Sequence, residues 1–332
     1  MYWSAGAAPT RAETIARLAK YLGISEGDDP DRIEGARGTM RLYTALGERQ
    51  VWIPKSRPAR LELPLYPLPG VAGRNRGYLV EAVLGEGKRT RLLLDTGSGG
   101  LFLLERIARR GGLVPLSEET VFGGGGGGRQ TTRRGLLPAI ALGDLRFADA
   151  LVSTTTDEIE PTGRYHGVLG LPVFEGYRVT LDLERSRLVL EPPAEEPGGS
   201  PYWSIAGQML VRVEAGEGAG GLFMLDTGAT SSQVSLTLAK SAPKASLGAE
   251  IPVRGFGGTM PGARPVRGIA LAFQGLASEG RELIAADLTM RSRLGGVEVS
   301  GQLGLDLLDG TRVVVDTKAH RIEVTRGTKT KK

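Results

Sequence analysis

The stretches Leu92-Leu93-Leu94-Asp95-Thr96-Gly97-Ser98 and Leu222-Phe223-Met224-Leu225-Asp226-Thr227-Gly228-Ala229 decide the fold of this chain. Each places an Asp-Thr-Gly triplet at the end of an apolar run. At average composition, a chain of this length contains one such triplet by chance in roughly a few per cent of cases. Two triplets in matching surroundings therefore indicate a duplicated unit that carries one carboxylate in each copy.

The sequence around the two triplets repeats as well. Leu79-Val80 matches Leu210-Val211, and the offset of 131 residues (210 − 79) equals the offset between the two aspartates (226 − 95). Further along, Gly167-Val168-Leu169-Gly170-Leu171 matches Gly301-Gln302-Leu303-Gly304-Leu305 at an offset of 134. One three-residue insertion reconciles the offsets. The chain is therefore two copies of one unit, and not a solenoid, which needs at least three repeats.

Each copy has the pattern of short β-strands. Residues 78–83 and 90–94 are apolar or alternating runs on either side of a Gly-Glu-Gly turn, a pattern that predicts a hairpin. Residues 178–183 and 187–191 predict a second hairpin, and residues 312–325 repeat it in the second copy. This spacing and turn density predict a compact, closed all-β lobe for each copy.

The composition excludes several classes of protein and site. The chain has 332 residues, of which 40% are hydrophobic and 24% charged, as in an ordinary globular protein. No run approaches the roughly 18 apolar residues of a membrane span, so we predict none. The chain has no cysteine, which excludes disulfides, zinc-thiolate sites and thiol nucleophiles. With only two histidines, we expect no metal site and no cofactor.

The net charge of +5 is modest, and much of it lies in the tail at residues 326–332. A nucleic-acid interface would need a basic face with aromatic side chains to stack on bases, and only 5% of the residues are aromatic. We therefore predict no nucleic-acid partner. The first residues lack the apolar stretch of a signal peptide. That leaves a cytoplasmic protein, or one whose leader has been removed.

Residues 1–60 lie outside the repeat and predict a small helical extension. Thr10-Arg11-Ala12-Glu13 is a capping box before an apolar helical face, and Gly23 can end that helix. Asp29-Pro30 can start a second, weaker helix, which Gly35 and Gly38 would disturb. The extension either packs on the first lobe or acts as a prosegment or partner-binding element. A Pro/Gly-rich linker at residues 191–201 then separates a first lobe, 61–195, from a second lobe with the basic tail, 196–332.

The triplets can carry acid–base chemistry. The glycine after the threonine has no side chain, so Gly97 and Gly228 can each approach a carboxylate and donate a backbone N–H. The hydroxyls of Thr96 and Thr227 can bond across to the other copy and lock the two loops together. About a pseudo-twofold axis, Asp95 and Asp226 would lie within a few ångströms and share a proton. A water between them could then attack an amide carbonyl.

With these features the chain resembles the pepsin and retropepsin superfamily of aspartic peptidases, over about residues 76–326. The short lobes resemble bacterial retropepsin-like proteins with both lobes fused in one chain. The resemblance implies a two-lobed, all-β acid-protease fold with pseudo-twofold symmetry, in which an apolar-apolar-Gly segment packs beneath each catalytic loop. Val168-Leu169-Gly170 fits that segment, whereas Gln302-Leu303-Gly304 departs from it by one residue.

The resemblance also implies a flexible hairpin, or flap, over the cleft in each lobe. Phe122, Gly123 and Gly124 begin a glycine-rich run 27 residues after Asp95 (122 − 95). Phe256, Gly257 and Gly258 begin 30 residues after Asp226 (256 − 226). These segments are the predicted substrate-binding flaps. An ordinary flexible loop is the other interpretation, because pepsin-like enzymes carry a flap tyrosine that is missing here.

The sequence thus predicts a single-chain, monomeric aspartic endopeptidase that acts on polypeptides, with Asp95 and Asp226 as its catalytic pair. The alternative is a peptide-binding or scaffolding protein that keeps the fold but not turnover. Because many bacterial proteins of this resemblance are exported, a periplasmic or extracellular location is favoured over a cytoplasmic one.

Overall fold

The computed structural model describes residues 10–70, 73–122, 129–160, 162–216, 219–255, 258–278 and 280–326. The chain is mostly β, with two lobes that repeat one topology and a small helical N-terminal extension, as the sequence predicts. The helices are α1 (Arg11–Gly23), α2 (Pro30–Leu46), α3 (Glu105–Arg110), α4 (Leu236–Ser241), α5 (Thr289–Gly295) and α6 (Leu305–Leu308), and a 3-10 turn spans Leu171–Phe174.

The strands up to the linker are β1 (Ile53–Ser56), β2 (Leu61–Pro64), β3 (Tyr66–Pro69), β4 (Asn75–Leu84), β5 (Lys88–Leu94), β6 (Leu101–Leu104), β7 (Val114–Phe122), β8 (Arg129–Leu142), β9 (Leu145–Thr155), β10 (Gly167–Leu169), β11 (Arg178–Asp182) and β12 (Arg187–Glu191). The later strands are β13 (Ser200–Pro201), β14 (Trp203–Ile205), β15 (Gln208–Ala215), β16 (Ala219–Leu225), β17 (Gln233–Ser235), β18 (Ser246–Leu247), β19 (Val253–Gly255), β20 (Gly258–Met260), β21 (Arg264–Arg267), β22 (Leu271–Phe273), β23 (Leu276–Ala277), β24 (Leu283–Ala286), β25 (Val299–Leu303), β26 (Thr311–Asp316) and β27 (Arg321–Arg326).

The two lobes build the same sheet around their candidate loops. In the first lobe β5 runs parallel to β10, β10 antiparallel to β6, and β6 parallel to β9. In the second lobe β16, β25, β17 and β24 follow in the same order with the same directions. The strand that ends at each Asp-Thr-Gly triplet is therefore central in its sheet. It is held on both sides, by β4 and β10 in one lobe and by β15 and β25 in the other.

A six-stranded sheet joins the lobes, in the order β13-β27-β26-β11-β12-β2. Its centre is the antiparallel pair β11–β26, in which Arg178 lies opposite Asp316, Thr180 opposite Val314, and Asp182 opposite Arg312. At the repeat offset of 134, Thr180 faces its own counterpart, Val314. Arg178 faces the counterpart of Asp182, and Asp182 faces the counterpart of Arg178. The pseudo-twofold axis therefore passes between Thr180 and Val314.

One large cluster of buried apolar side chains extends through both lobes and the shared sheet, from Leu61 to Val324. Two smaller clusters lie on the other faces of the lobe sheets: Leu68, Leu79, Leu93 and Val168 in the first lobe, and a set that includes Leu210 and Met224 in the second. Burial of a large aliphatic side chain stabilises a fold by about 1.5–3 kcal/mol. The shared core therefore fixes the lobes relative to each other.

The N-terminal extension packs on the first lobe. The predicted capping box forms, since Thr10 N donates to Glu13 Oε2 at 2.8 Å and Glu13 N to Thr10 Oγ1 at 3.2 Å. The second helix is stronger than expected, because α2 continues through Gly35 and Gly38. A methyl group on Gly38 would lie 3.0 Å from the Cβ of Glu119, so this glycine allows α2 to approach β7 closely. Strand β1, also within residues 1–60, pairs with β9.

Candidate active site

The ends of β5 and β16 position the two triplets in the same way. The backbone N–H of Asp95 donates to the carbonyl of Leu169 at 3.0 Å, and that of Asp226 donates to the carbonyl of Leu303 at 2.9 Å. These bonds continue the parallel pairing of each strand with its neighbour for one more residue. Each aspartate thus leaves the sheet at a defined point, supported by the apolar-apolar-Gly segment of its own lobe.

The two threonines tie the loops together across the axis. Thr96 Oγ1 donates to the carbonyl of Leu225 at 2.6 Å and accepts from Thr227 N at 3.0 Å. Thr227 Oγ1 donates to the carbonyl of Leu94 at 2.9 Å and accepts from Thr96 N at 3.1 Å. Both side chains are essentially fully buried. Four hydrogen bonds in a water-excluded position therefore hold the loops in one relative geometry.

The glycines of the triplets lie against the opposite carboxylates. Gly97 N donates to Asp95 Oδ1 at 2.7 Å, and Gly228 N donates to Asp226 Oδ1 at 2.9 Å. A methyl group on Gly97 would lie 2.7 Å from Asp226 Cγ, and one on Gly228 would lie 2.5 Å from Asp95 Cγ. Only glycine leaves room for the two carboxylates at these positions.

The two carboxyl groups interact directly. Burial raises the pKa of Asp95 well above its ordinary value, and the charge of Asp226 and a side-chain hydrogen bond to it raise this pKa further. The N–H of Gly97 and the charge of Arg291 act in the opposite direction. Two carboxyl groups this close cannot both ionise readily, so the pair retains a proton over a pH range in which an isolated aspartate would have lost it.

The apolar-apolar-Gly segments lie beneath the loops, and the departure in the second lobe is accommodated. A methyl group on Gly170 would lie 2.1 Å from the carbonyl oxygen of Ser98, and one on Gly304 would lie 2.7 Å from the carbonyl carbon of Ser231. Gln302 is buried and is paired across β25–β17 with another buried residue, Gln233. Two polar residues therefore lie side by side in the sheet of the second lobe.

Three residues near the loops were not singled out by the sequence analysis. Gln208 Nε2 donates to the carbonyl of Gly97 at 2.7 Å and so ties the β14–β15 hairpin to the first loop. Tyr165 packs on the first-lobe cluster that contains Leu93, and burial, with smaller contributions from the charges of Glu160 and Asp95, raises its pKa to about 12. Arg291 on α5 acts on both carboxylates. Their sequence positions carry no motif, so only the folded chain brings them together.

Most of the predicted flap residues lie outside the described ranges, and the others lie at the ends of those ranges. Gly123, Gly124, Phe256 and Gly257 fall outside the described residues, and Phe122 is the last residue of β7. Gly258 begins β20, with a φ of +123°, and pairs with Gly255 of β19. The assignment of these residues to substrate-binding flaps stays a prediction.

In the described ranges, no group of three or more histidine, aspartate or glutamate side chains is arranged to hold a metal ion. No helix in this part of the chain is long and apolar enough to cross a membrane.

Comparisons with known proteins bear on the same loops. Residues 80–173 match the model of a family described as aspartyl protease, a segment that contains Asp95 but ends before Asp226. No curated protein matches the chain. Among solved structures, an aspartic proteinase from Irpex lacteus is 13% identical, with a TM-score of 0.45, over 81% of this chain and 98% of that one. The family match supports a relationship of this chain to the pepsin- and retropepsin-like aspartic peptidases.

Proposed function

We propose that this protein is an aspartic endopeptidase in which Asp95 and Asp226 together activate a water molecule. The observation that carries the proposal is the proximity of the two carboxyl groups, each of which lies against the glycine of the opposite triplet and accepts the glycine N–H of its own triplet. Such a pair has no evident structural purpose, because two adjacent, partly buried carboxyl groups destabilise a fold unless they share a proton.

The pair supports a general acid–base reaction. In the singly protonated state, the ionised carboxylate takes a proton from a bound water while the neutral carboxyl group donates its proton to the oxygen of the peptide carbonyl. The water oxygen bonds to the carbonyl carbon, and a tetrahedral intermediate forms. When the intermediate collapses, the C–N bond breaks and the amine nitrogen takes up the proton that the base had accepted from water. A hydroxyl group of the intermediate returns its proton to the other carboxylate and becomes the carbonyl of the product, so the singly protonated pair is restored. No covalent enzyme adduct is formed.

The substrate of this reaction is a polypeptide, which agrees with the aspartyl protease match. One chain supplies both triplets, held by the cross-lobe threonine bonds, so we propose that the monomer is the active unit. We also propose domain boundaries at residues 60 and 195 and a periplasmic or extracellular location.

The experiment is peptide cleavage by the purified protein against pH, with Asp95→Asn, Asp226→Asn and the double variant. We expect a bell-shaped profile, near-complete loss of kcat in each single variant, and a double variant hardly worse than either one, because the two residues act as a unit. Chelators and dilution should leave the specific activity unchanged. Losses that multiply, or turnover by either single variant, would refute the proposed pair. Peptide binding without cleavage by the unaltered protein would favour the scaffolding alternative.

A further inference from the structure

The two candidate loops have equivalent backbones but different neighbours. Leu93 lies two residues before Asp95, and its repeat counterpart Met224 lies two residues before Asp226. Since side chains alternate along a strand, each of these residues points to the face from which its aspartate projects. Tyr165 packs on the cluster around Leu93. Met224 contacts Arg291, whose Nη1 atom lies 3.1 Å from the Sδ atom of the methionine. A phenol thus flanks one carboxyl group, and a guanidinium group flanks the other.

The packing of helix α5 and the buried side chain of Met224 hold Arg291 in this position. Helix α5 packs on β25, and Ser292 fastens it: Ser292 Oγ donates to the carbonyl of Leu288 at 3.1 Å and accepts from Val299 N at 2.9 Å. Arg291 is half-buried, and Met224 beneath it is fully buried. An arginine that gives up part of its hydration needs compensation from an opposite charge. Here both aspartates supply it, and Asp226 interacts with Arg291 more strongly than Asp95 does.

We propose that Arg291 is a positioning residue that makes the pair unequal: it keeps the negative charge on Asp226, so that the shared proton stays on Asp95. This inference rests on the proposed function and adds a role for each carboxyl group. Asp226 becomes the base that takes a proton from the water. Asp95 becomes the acid that gives its proton to the carbonyl oxygen of the peptide.

The other charged groups around the pair are consistent with this division. Asp95 faces Tyr165, whose pKa is raised to about 12 by burial and which is therefore neutral in the working range. Behind Tyr165, the charges of Glu160 and Arg76 form a 2.6 Å ion pair and largely cancel. The cation that lowers the pKa of Asp95 is Arg291 itself, which interacts more strongly with Asp226. The remaining charge on α5, Arg293, points to Asp29 at 3.6 Å.

The test is the pH profile of kcat/KM on an uncharged peptide, for the unaltered protein and for Arg291→Gln, Arg291→Lys and Arg293→Gln. A cation favours the ionised forms of both carboxyl groups, so its removal raises both apparent pKa values of the pair. In Arg291→Gln we expect both limbs of the bell to move upward, the acidic limb by about one pH unit and the other limb by less, because Arg291 interacts more strongly with Asp226. Arg291→Lys keeps the charge and should move them less. Arg293→Gln removes a charge from the same helix, away from the pair, and should leave the profile in place.

A carbon-13 NMR titration of the aspartate side-chain carboxyl groups gives a readout that does not need turnover. In the unaltered protein, Asp226 should ionise at lower pH than Asp95, and in Arg291→Gln the two steps should move upward and closer together. If no peptide is cleaved but the titration behaves in this way, the proposed function and the two catalytic roles fail, whereas the effect of Arg291 on the charge of the pair stands. An unmoved titration in a folded Arg291→Gln variant overturns the inference. So does an unchanged pH profile with a raised KM for acidic peptides only, because Arg291 would then bind substrate.

Discussion

The cross-lobe threonine bonds make a quantitative prediction, because replacement of Thr96 by valine removes two of them and almost nothing else. Valine has nearly the volume of threonine, so the buried space stays filled. Two backbone groups lose their partner, however: the N–H of Thr227, now bonded at 3.0 Å, and the carbonyl of Leu225, now bonded at 2.6 Å. Thr96 is fully buried, so water cannot replace the hydroxyl without rearrangement.

The magnitude follows from those two groups. An unsatisfied buried donor or acceptor costs about 1–3 kcal/mol, so Thr96→Val should lower the free energy of unfolding by about 2–6 kcal/mol. This is a large share of the roughly 5–15 kcal/mol by which folded domains are stable. Thr96→Ser keeps both hydrogen bonds and loses one methyl group, which costs about 1 kcal/mol. Thr227→Val leaves Thr96 N and the carbonyl of Leu94 unpaired and should cost about as much as Thr96→Val.

The assay is equilibrium unfolding in urea, followed by tryptophan fluorescence and by circular dichroism on the same samples. Coincident transitions would show that the two lobes unfold together, as their shared core predicts, and would justify a single free energy for each variant. Peptide cleavage should fall more steeply than stability, because the threonines also set the spacing of the two carboxyl groups. If Thr96→Val proved no less stable than Thr96→Ser, the hydrogen-bond reasoning would be refuted.

Two further predictions concern single residues. Gly228→Ala should abolish most peptide cleavage, because its methyl group would lie 2.5 Å from Asp95 Cγ. Gly100→Ala in the opposite loop has no atom within 4 Å of its added carbon and should retain activity. The measurements are kcat/KM and the melting temperature of the two variants. The Glu160 carboxylate is held by Thr162, the N–H of Arg164 and Arg76, which overcome burial and lower its pKa to about 2. A carboxyl group whose pKa is lowered in the folded state stabilises the fold at pH values above its ordinary pKa, and this stabilisation is lost as the pH falls towards the folded-state pKa. The melting temperature should therefore drop between about pH 4.5 and pH 2, and it should drop less in Glu160→Gln. Equal slopes of melting temperature against pH in the two proteins would contradict this.

The repeat was sufficient to predict the features of the fold that depend on local sequence. The hairpins on either side of the Gly-Glu-Gly turn and the strands that end at Asp95 and Asp226 all follow from short-range patterns. The apolar-apolar-Gly segments also follow, since a side chain at Gly170 or Gly304 would collide with the loop above it. Each of these features is decided by a few neighbouring residues, and such features repeat when the sequence repeats.

The sequence did not predict features that depend on distant segments. Strand β2 joins the sheet between the lobes through β12, and β1 joins the first lobe through β9, although both strands are short and have no partner nearby in sequence. The length of α2 depends on its contact with β7, where Gly38 permits close approach. A glycine that disturbs an isolated helix is favourable when it lets the helix pack against a strand. Intrinsic propensity alone therefore gave the wrong sign at this position.

Arg291 could not be found from the repeat because the two copies differ in structure and in residue type at this position. The segment between β24 and β25 contains α5, whereas the corresponding segment between β9 and β10 contains no helix among its described residues. The residue at the offset of 134 (291 − 134) is the exposed Asp157. Internal symmetry predicts only the features that the two copies share, so it cannot predict a residue such as Arg291, which occurs in one copy.

The distinction between the copies extends from Arg291 along the sheet. Across the first lobe, Leu93, Val168 and Phe102 lie side by side on three adjacent strands. Across the second lobe, Met224, Gln302 and Gln233 occupy the equivalent row, and Gln233 Oε1 is buried without a hydrogen-bond partner. The backbone that holds two carboxyl groups together must be the same on both sides of the axis. An acid and a base, by contrast, need different surroundings, so the side chains around a symmetric pair are the ones free to diverge. The apolar row behind Asp95, and the row of one methionine and two glutamines with its arginine behind Asp226, fit the unequal roles that we propose for the two carboxyl groups.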